Sequence, residues 1–105
     1  MKVVRLSPEA IDELVEAAGW YQGRRPGLEL EFLAEVDRLL PLIGGSPEAF
    51  PRFLDLPADL VIRRALLPRF PYALIFMDLG EHVRVLAVAH AKRRPGYWLG
   101  RVADE

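Results

Sequence analysis

Tyr72-Ala73-Leu74-Ile75-Phe76-Met77-Asp78-Leu79-Gly80-Glu81-His82-Val83-Arg84-Val85-Leu86-Ala87-Val88-Ala89-His90 is the stretch that decides the fold. Both of its arms are rich in aliphatic and aromatic residues and short enough to be strands. Between them Asp78-Leu79-Gly80-Glu81 reads as a hairpin turn, with Gly80 free to take a positive φ. The second arm alternates, so Val83, Val85, Ala87 and Ala89 are expected to share one face of a sheet. Working backwards, Leu60-Val61-Ile62-Arg63-Arg64-Ala65-Leu66-Leu67 is another β-rich run, and Pro68 and Pro71 bound its link to the hairpin. Before it, residues 46–57 form a loop carrying Pro47, Pro51 and Pro57, with room for a single turn at Pro47-Glu48-Ala49.

Upstream of that loop the period changes. Ser7-Pro8-Glu9 is a helix start: a hydroxyl cap, proline in the first turn and a carboxylate at the positive end of the dipole. Ile11, Leu14, Val15, Ala18 and Tyr21 or Gln22 follow at helical spacing and predict the core stripe, with Asp12, Glu13 and Glu16 on the other side. Gly23-Arg24-Arg25-Pro26-Gly27 ends this helix. A second helix follows, with Leu28, Phe32, Val36, Leu39, Leu40 and Ile43 as its stripe, Pro41 expected to kink or end its last turn, and Gly44-Gly45 marking the stop. A short strand over residues 2–6 precedes both. The expectation is one α+β domain spanning residues 1–105: an N-terminal strand and an antiparallel helical hairpin packed on a twisted, mainly antiparallel sheet, in the order β-α-α-β-β-β.

Composition removes several classes of function. A chain of 105 residues with 51% hydrophobic and 28% charged residues has room for one core, not for separate cofactor and substrate domains. With no cysteine there is no disulfide scaffold, thiol chemistry or cysteine metal site, and His82 and His90 alone make no persuasive metal site. No cofactor is expected. No apolar run approaches the ~18 residues of a membrane helix, and Ser7-Pro8 interrupts the N-terminus before a signal-peptide core could form. A soluble, cytoplasmic protein with no membrane partner is the expectation.

The net charge of −1 conceals an uneven distribution. Residues 1–59 hold six basic and eleven acidic residues, a net −5; residues 60–105 hold eight and four, a net +4. Nearly all of the basic residues are arginine, whose planar fork suits phosphate and carboxylate partners. The split fits either a basic face turned to an anionic partner or an acidic helical surface lying beside a basic sheet. Adjacent strand residues point to opposite faces, so one of Arg63 and Arg64 must run inward while the other joins the basic surface. Trp20, nine positions after Ile11, falls on the opposite side of its helix, with Glu13 and Glu16. It reads either as folded over the Arg24-Arg25-Pro26 turn or as a partner contact.

Several segments taken together resemble one family. Arg63-Arg64-Ala65-Leu66-Leu67-Pro68-Arg69-Phe70-Pro71-Tyr72 and Val85-Leu86-Ala87-Val88-Ala89-His90-Ala91-Lys92-Arg93-Arg94-Pro95-Gly96-Tyr97-Trp98 are similar to the RelE/ParE superfamily of toxin–antitoxin toxins. So are Ala17-Ala18-Gly19-Trp20-Tyr21, Arg25-Pro26-Gly27-Leu28 and Ser46-Pro47-Glu48-Ala49-Phe50-Pro51. The chain looks closest to the ParE-like branch, often called plasmid-stabilisation proteins. What the resemblance implies is a growth-inhibiting toxin held inactive by a cognate antitoxin, with operator DNA contacted only through that antitoxin. ParE-like members bind and inhibit DNA gyrase; RelE-like members cut mRNA on the ribosome; a degenerate member would be a non-toxic binding module.

The residues bear on that choice. Metal-free RNA cleavage needs a base for the 2′-hydroxyl, cations for the phosphorane charge and an acid for the leaving oxygen. Candidates for a nuclease are His90, Arg93, Arg94 and Tyr97, with Arg69. Against this, the nuclease branch carries an arginine early in the third strand, where this chain has Tyr72-Ala73-Leu74, and basic residues where Asp55-Leu56-Pro57-Ala58-Asp59 is acidic. A non-enzymatic gyrase-binding toxin is therefore expected. Its partner-binding residues would be Trp20, Arg64, Arg69, Arg93, Arg94 and Trp98.

Overall fold

The computed structural model describes residues 1–103. Its order is β1 (Val3–Leu6), α1 (Pro8–Arg24), α2 (Leu28–Gly45), a short 3-10 turn at Pro47–Ala49, β2 (Arg63–Leu66), β3 (Tyr72–Asp78), β4 (His82–His90) and a second 3-10 turn at Leu99–Arg101. The sheet runs β1-β4-β3-β2, with β1 parallel to β4 and the other pairs antiparallel. This is the α+β plan the sequence predicts. Local chemistry explains its starts and stops. The Ser7 hydroxyl accepts the Ala10 N–H at 3.1 Å, capping α1, and Gly80 takes φ 95° in the hairpin turn. Helix α2 continues through Pro41 to Gly45 rather than ending at the proline. Gly44 is required by proximity: the Lys2 N–H donates to its carbonyl at 2.9 Å, and an added Cβ would lie 2.5 Å from the Lys2 carbonyl oxygen. Strand β2 is shorter than the predicted run. Ile62 instead accepts the Phe53 N–H at 2.9 Å, so the residues before Arg63 pair with the preceding loop.

The helical hairpin covers one face of the sheet. Phe32, Val36 and Ile43 of α2 are buried against Leu74 and Phe76 of β3 and Val83, Val85 and Val88 of β4. Tyr21, Phe32, Phe70 and Tyr72 close one end as an aromatic cluster with centroid separations from 4.8 Å to 6.2 Å, where each pair adds ~0.5–1.5 kcal/mol beyond its buried area. The core row of α1 differs from the predicted one. Ala10, Ala17 and Tyr21 are buried and Leu14 half-buried, whereas Ile11 and Val15 are 47% and 65% exposed. The two buried alanines let the helix lie close to β4, which turns Glu13 inward beside Leu14.

A bulge also breaks the expected face of β4. Ile75 pairs with Ala87 but Phe76 pairs with Val85, leaving Leu86 as the extra residue. Val83, Val85 and Val88 therefore face the helices, and Leu86 and Ala87 lie in a second core on the opposite face. That second core is built by the loop after α2 and by the C-terminal segment: Phe53, Leu56, Leu60, Ile62, Trp98 and Val102 pack on Ala73, Ile75 and Ala87. Trp98, expected at a partner surface, is instead 3% exposed, with its ring 5.1 Å from that of Phe53. It is a core residue because the tail folds back over the sheet. Among the described residues, no helix is long and apolar enough to cross a membrane.

Candidate functional site

A cleft of about 420 Å³ opens between α1 and the ends of β3 and β4. Glu13, Glu16, Trp20 and Tyr21 line the helix side; Tyr72, Val88, His90 and Arg93 line the sheet side. Its position follows from the length of β1. That strand pairs only with His82–Val85, so the outer edge of β4 from Leu86 to His90 has no strand beside it. Side chains and loops satisfy part of that edge. The Leu86 carbonyl, freed from the ladder by the bulge, accepts the Ser7 hydroxyl at 3.3 Å and Arg101 Nη1 at 3.0 Å. The Val88 N–H donates to Glu13 Oε1 at 3.0 Å.

Glu13 is the hub of this region. Tyr97 Oη donates to its Oε2 at 2.7 Å, and Arg101 meets both oxygens, Nη1 to Oε1 at 2.9 Å and Nη2 to Oε2 at 3.1 Å. Burial pushes the Glu13 carboxyl up, but the bonds from Arg101, Tyr97 and Val88 outweigh it and hold the carboxyl below the ordinary carboxylate range. Burial, and then the donated bond to Glu13, push the Tyr97 phenol far above its usual value. Tyr97 is thus a fixed proton donor to Glu13. Arg93 and Arg101 pack on its ring at 3.8 Å and 5.1 Å from the centroid.

The sequence-predicted residues separate into those the cleft gathers and those it does not. His90 and Arg93 line it. His90 Nδ1 accepts the Lys92 N–H at 3.0 Å, so the neutral ring carries its proton on Nε2. Its ring stands edge-on to Tyr72, 5.0 Å away. Trp20 is 56% exposed on the helix wall beside Glu16, although Ile11, from which its place is reckoned, is itself exposed, and Arg24 packs on its ring at 4.9 Å. Arg94 is exposed just beyond the strand.

Arg69 is committed elsewhere. Its Nε donates to Glu35 Oε2 at 2.6 Å and its Nη1 to Glu31 Oε1 at 3.2 Å, while its backbone N–H holds the other oxygen of the buried Glu35 carboxylate. These bonds, that to Glu35 foremost, raise the Arg69 pKa. Arg63 is the inward member of its pair, donating to the Phe50 carbonyl at 2.7 Å. Arg64 lies on the helix-free face over the Phe53 ring. The charge asymmetry is therefore largely internal, since acidic helices pair with arginines of the second half through Glu13–Arg101, Glu31–Arg69 and Glu35–Arg69. Neither Glu13 as a half-buried hub nor Arg101 as its partner is evident from the sequence. The available signal was Ala10 and Ala17, small residues that mark the side of α1 lying nearest the sheet. Among the described residues, no group of three or more His, Cys, Asp or Glu could hold a metal ion.

No family model and no curated protein sequence matches the chain. Among solved structures it is similar to a chain of the chromosomal ParDE TA system from P. aeruginosa, with a TM-score of 0.74 at 16% identity over 88% of this chain and 98% of that one. The ParE-like fold that the resemblance implies is thus the fold this chain adopts.

Proposed function

We propose that the protein is the toxin of a type II toxin–antitoxin pair, neutralised by a cognate antitoxin and acting by binding DNA gyrase rather than by cutting RNA. The fold shared with a ParDE chain supports the first part. The observation that carries the second is that the residues a nuclease would use are dispersed or occupied: Tyr97 is bonded to Glu13, Arg69 to Glu31 and Glu35, and Arg94 lies outside the cleft lining. The cleft keeps only His90 and Arg93 from that set. A cleft with aromatic walls and charged rims, beside a strand edge that no strand covers, suits an antitoxin segment that docks as a helix or adds as a strand. Trp20 is its exposed aromatic anchor, and Arg93 and Arg94 supply cations beside it.

A second reading, ribosome-dependent mRNA cleavage, draws on His90 Nε2 and the Arg93 fork sharing one cleft. Expression in bacteria separates the two. The gyrase reading expects growth arrest with loss of plasmid supercoiling and intact messages, relieved by co-expressing the protein of the neighbouring short reading frame. Cleaved messages with normal supercoiling, abolished by His90→Ala, would establish the nuclease instead. No arrest at all would mark a degenerate binding module. Trp20→Ala should weaken antitoxin affinity more than it lowers thermal stability; equal loss of stability with unchanged affinity would refute its anchoring role.

A further inference from the structure

On the sheet face opposite the helices, Arg5 of β1 and Arg84 of β4 are register partners. Their neighbours Val4, Leu6, Val83 and Val85 turn toward the helical hairpin, so alternation places both arginines on the other face. Adjacent strands lie about 4.8 Å apart, which puts two like charges side by side. The next residue in the row is Met77, the register partner of Arg84 on β3, which offers no carboxylate. Among the described residues neither arginine has an ion pair, and Nε of Arg84 is buried without a hydrogen-bond partner. His82 follows one step along the same face. Two guanidinium groups thus stand side by side, with an imidazole next along the same face of β4, and among the described residues no carboxylate pairs with them. Elsewhere in the molecule, Arg69 and Arg101 are each held by carboxylates.

We propose that Arg5 and Arg84 form a binding site for a phosphate-type oxyanion, separate from the cleft at the far end of β4. A tetrahedral oxyanion between the two forks cancels their repulsion and supplies acceptor oxygens that the described residues do not. Exposed Arg5 admits the ligand, and half-buried Arg84 fixes its position.

The test is a titration of the whole protein with inorganic phosphate, and separately with a short DNA duplex, against chloride at matched ionic strength. The arginine Nε–H resonances are followed by NMR. A saturable shift of the Arg84 signal is expected, weakened about tenfold or more in Arg5→Gln and unchanged in Arg38→Gln, which alters an exposed helix arginine. Saturation by inorganic phosphate supports a small phosphate ligand. Saturation by the duplex alone supports a nucleic-acid backbone. A shift that never saturates, that chloride reproduces, or that survives Arg5→Gln overturns the site. The Arg84 signal is read in the unsubstituted protein, so a variant that fails to fold leaves the test intact.

Discussion

Glu13→Gln is the most informative single substitution in this molecule. The change keeps the side-chain shape but removes the charge that receives four hydrogen bonds, from Val88, Tyr97 and, twice, Arg101. An amide accepts through only one of its two atoms, so its NH₂ would face donors. Hydrogen bonds to charged groups contribute ~1.5–3 kcal/mol each, and breaking a buried ion pair costs ~3–5 kcal/mol. Glu13 and Arg101 retain side-chain exposures of 16% and 18%, which discounts the larger figure. A loss of about 2–4 kcal/mol is expected. For a domain of this size that is a large share of ~5–15 kcal/mol and a fall in Tm of roughly 10–25 °C. Urea and thermal unfolding followed by circular dichroism give both quantities. In a cycle with Arg101→Met, the double variant should recover part of the loss, because Arg101 no longer lacks a counter-charge. A Glu13→Gln loss below about 0.5 kcal/mol, typical of an exposed pair, would show that the hub does not hold the tail on the sheet.

The same group sets an acid limit. Its folded carboxyl lies below the ordinary range of a free glutamate, so its contribution is complete above that range and is lost as pH falls through the lowered folded value; the stability gap between wild type and Glu13→Gln should shrink in that window, and a pH-independent gap contradicts this. Trp98→Ala should cost ~3–5 kcal/mol in urea unfolding as a core truncation, where a surface contact would cost almost nothing. Gly44→Ala must displace the Lys2 carbonyl from 2.5 Å, so ~1–3 kcal/mol of destabilisation is expected, and a neutral effect would mean that β1 shifts freely. Arg69→Ala, which removes the only side-chain cation bonded to the buried Glu35 carboxylate among the described residues and leaves it the backbone N–H of residue 69, should lower Tm more than Glu31→Gln does; the reverse order would place the weight of that network on the exposed pair.

What the sequence discloses, and what it conceals, follows from how far each signal reaches along the chain. The Ser7 cap, the stripe of α2 and the turn at Gly80 depend on neighbours within a few residues, and all are present as read. The bulge at Leu86 lies within an unbroken aliphatic run, where an extra residue changes faces without changing composition. The inner row of α1 departs from the large-hydrophobic stripe because close approach to a sheet favours the small Ala10 and Ala17 over Ile11 and Val15. Trp98 belongs to a segment without periodicity, and only the return of the tail over the helix-free face buries it. Within the candidate site, Trp20, His90 and Arg93 were recognisable as residue types, but the partners that occupy Tyr97 and Arg69 lie 84 and 34 residues away.

Supercoiling of relaxed plasmid by purified DNA gyrase, with and without this protein, tests the functional account most directly. Inhibition that His90→Ala leaves in place is the predicted result, since binding needs no acid–base group. Undisturbed supercoiling at any concentration, together with cut messages in a ribosomal translation reaction, would contradict it.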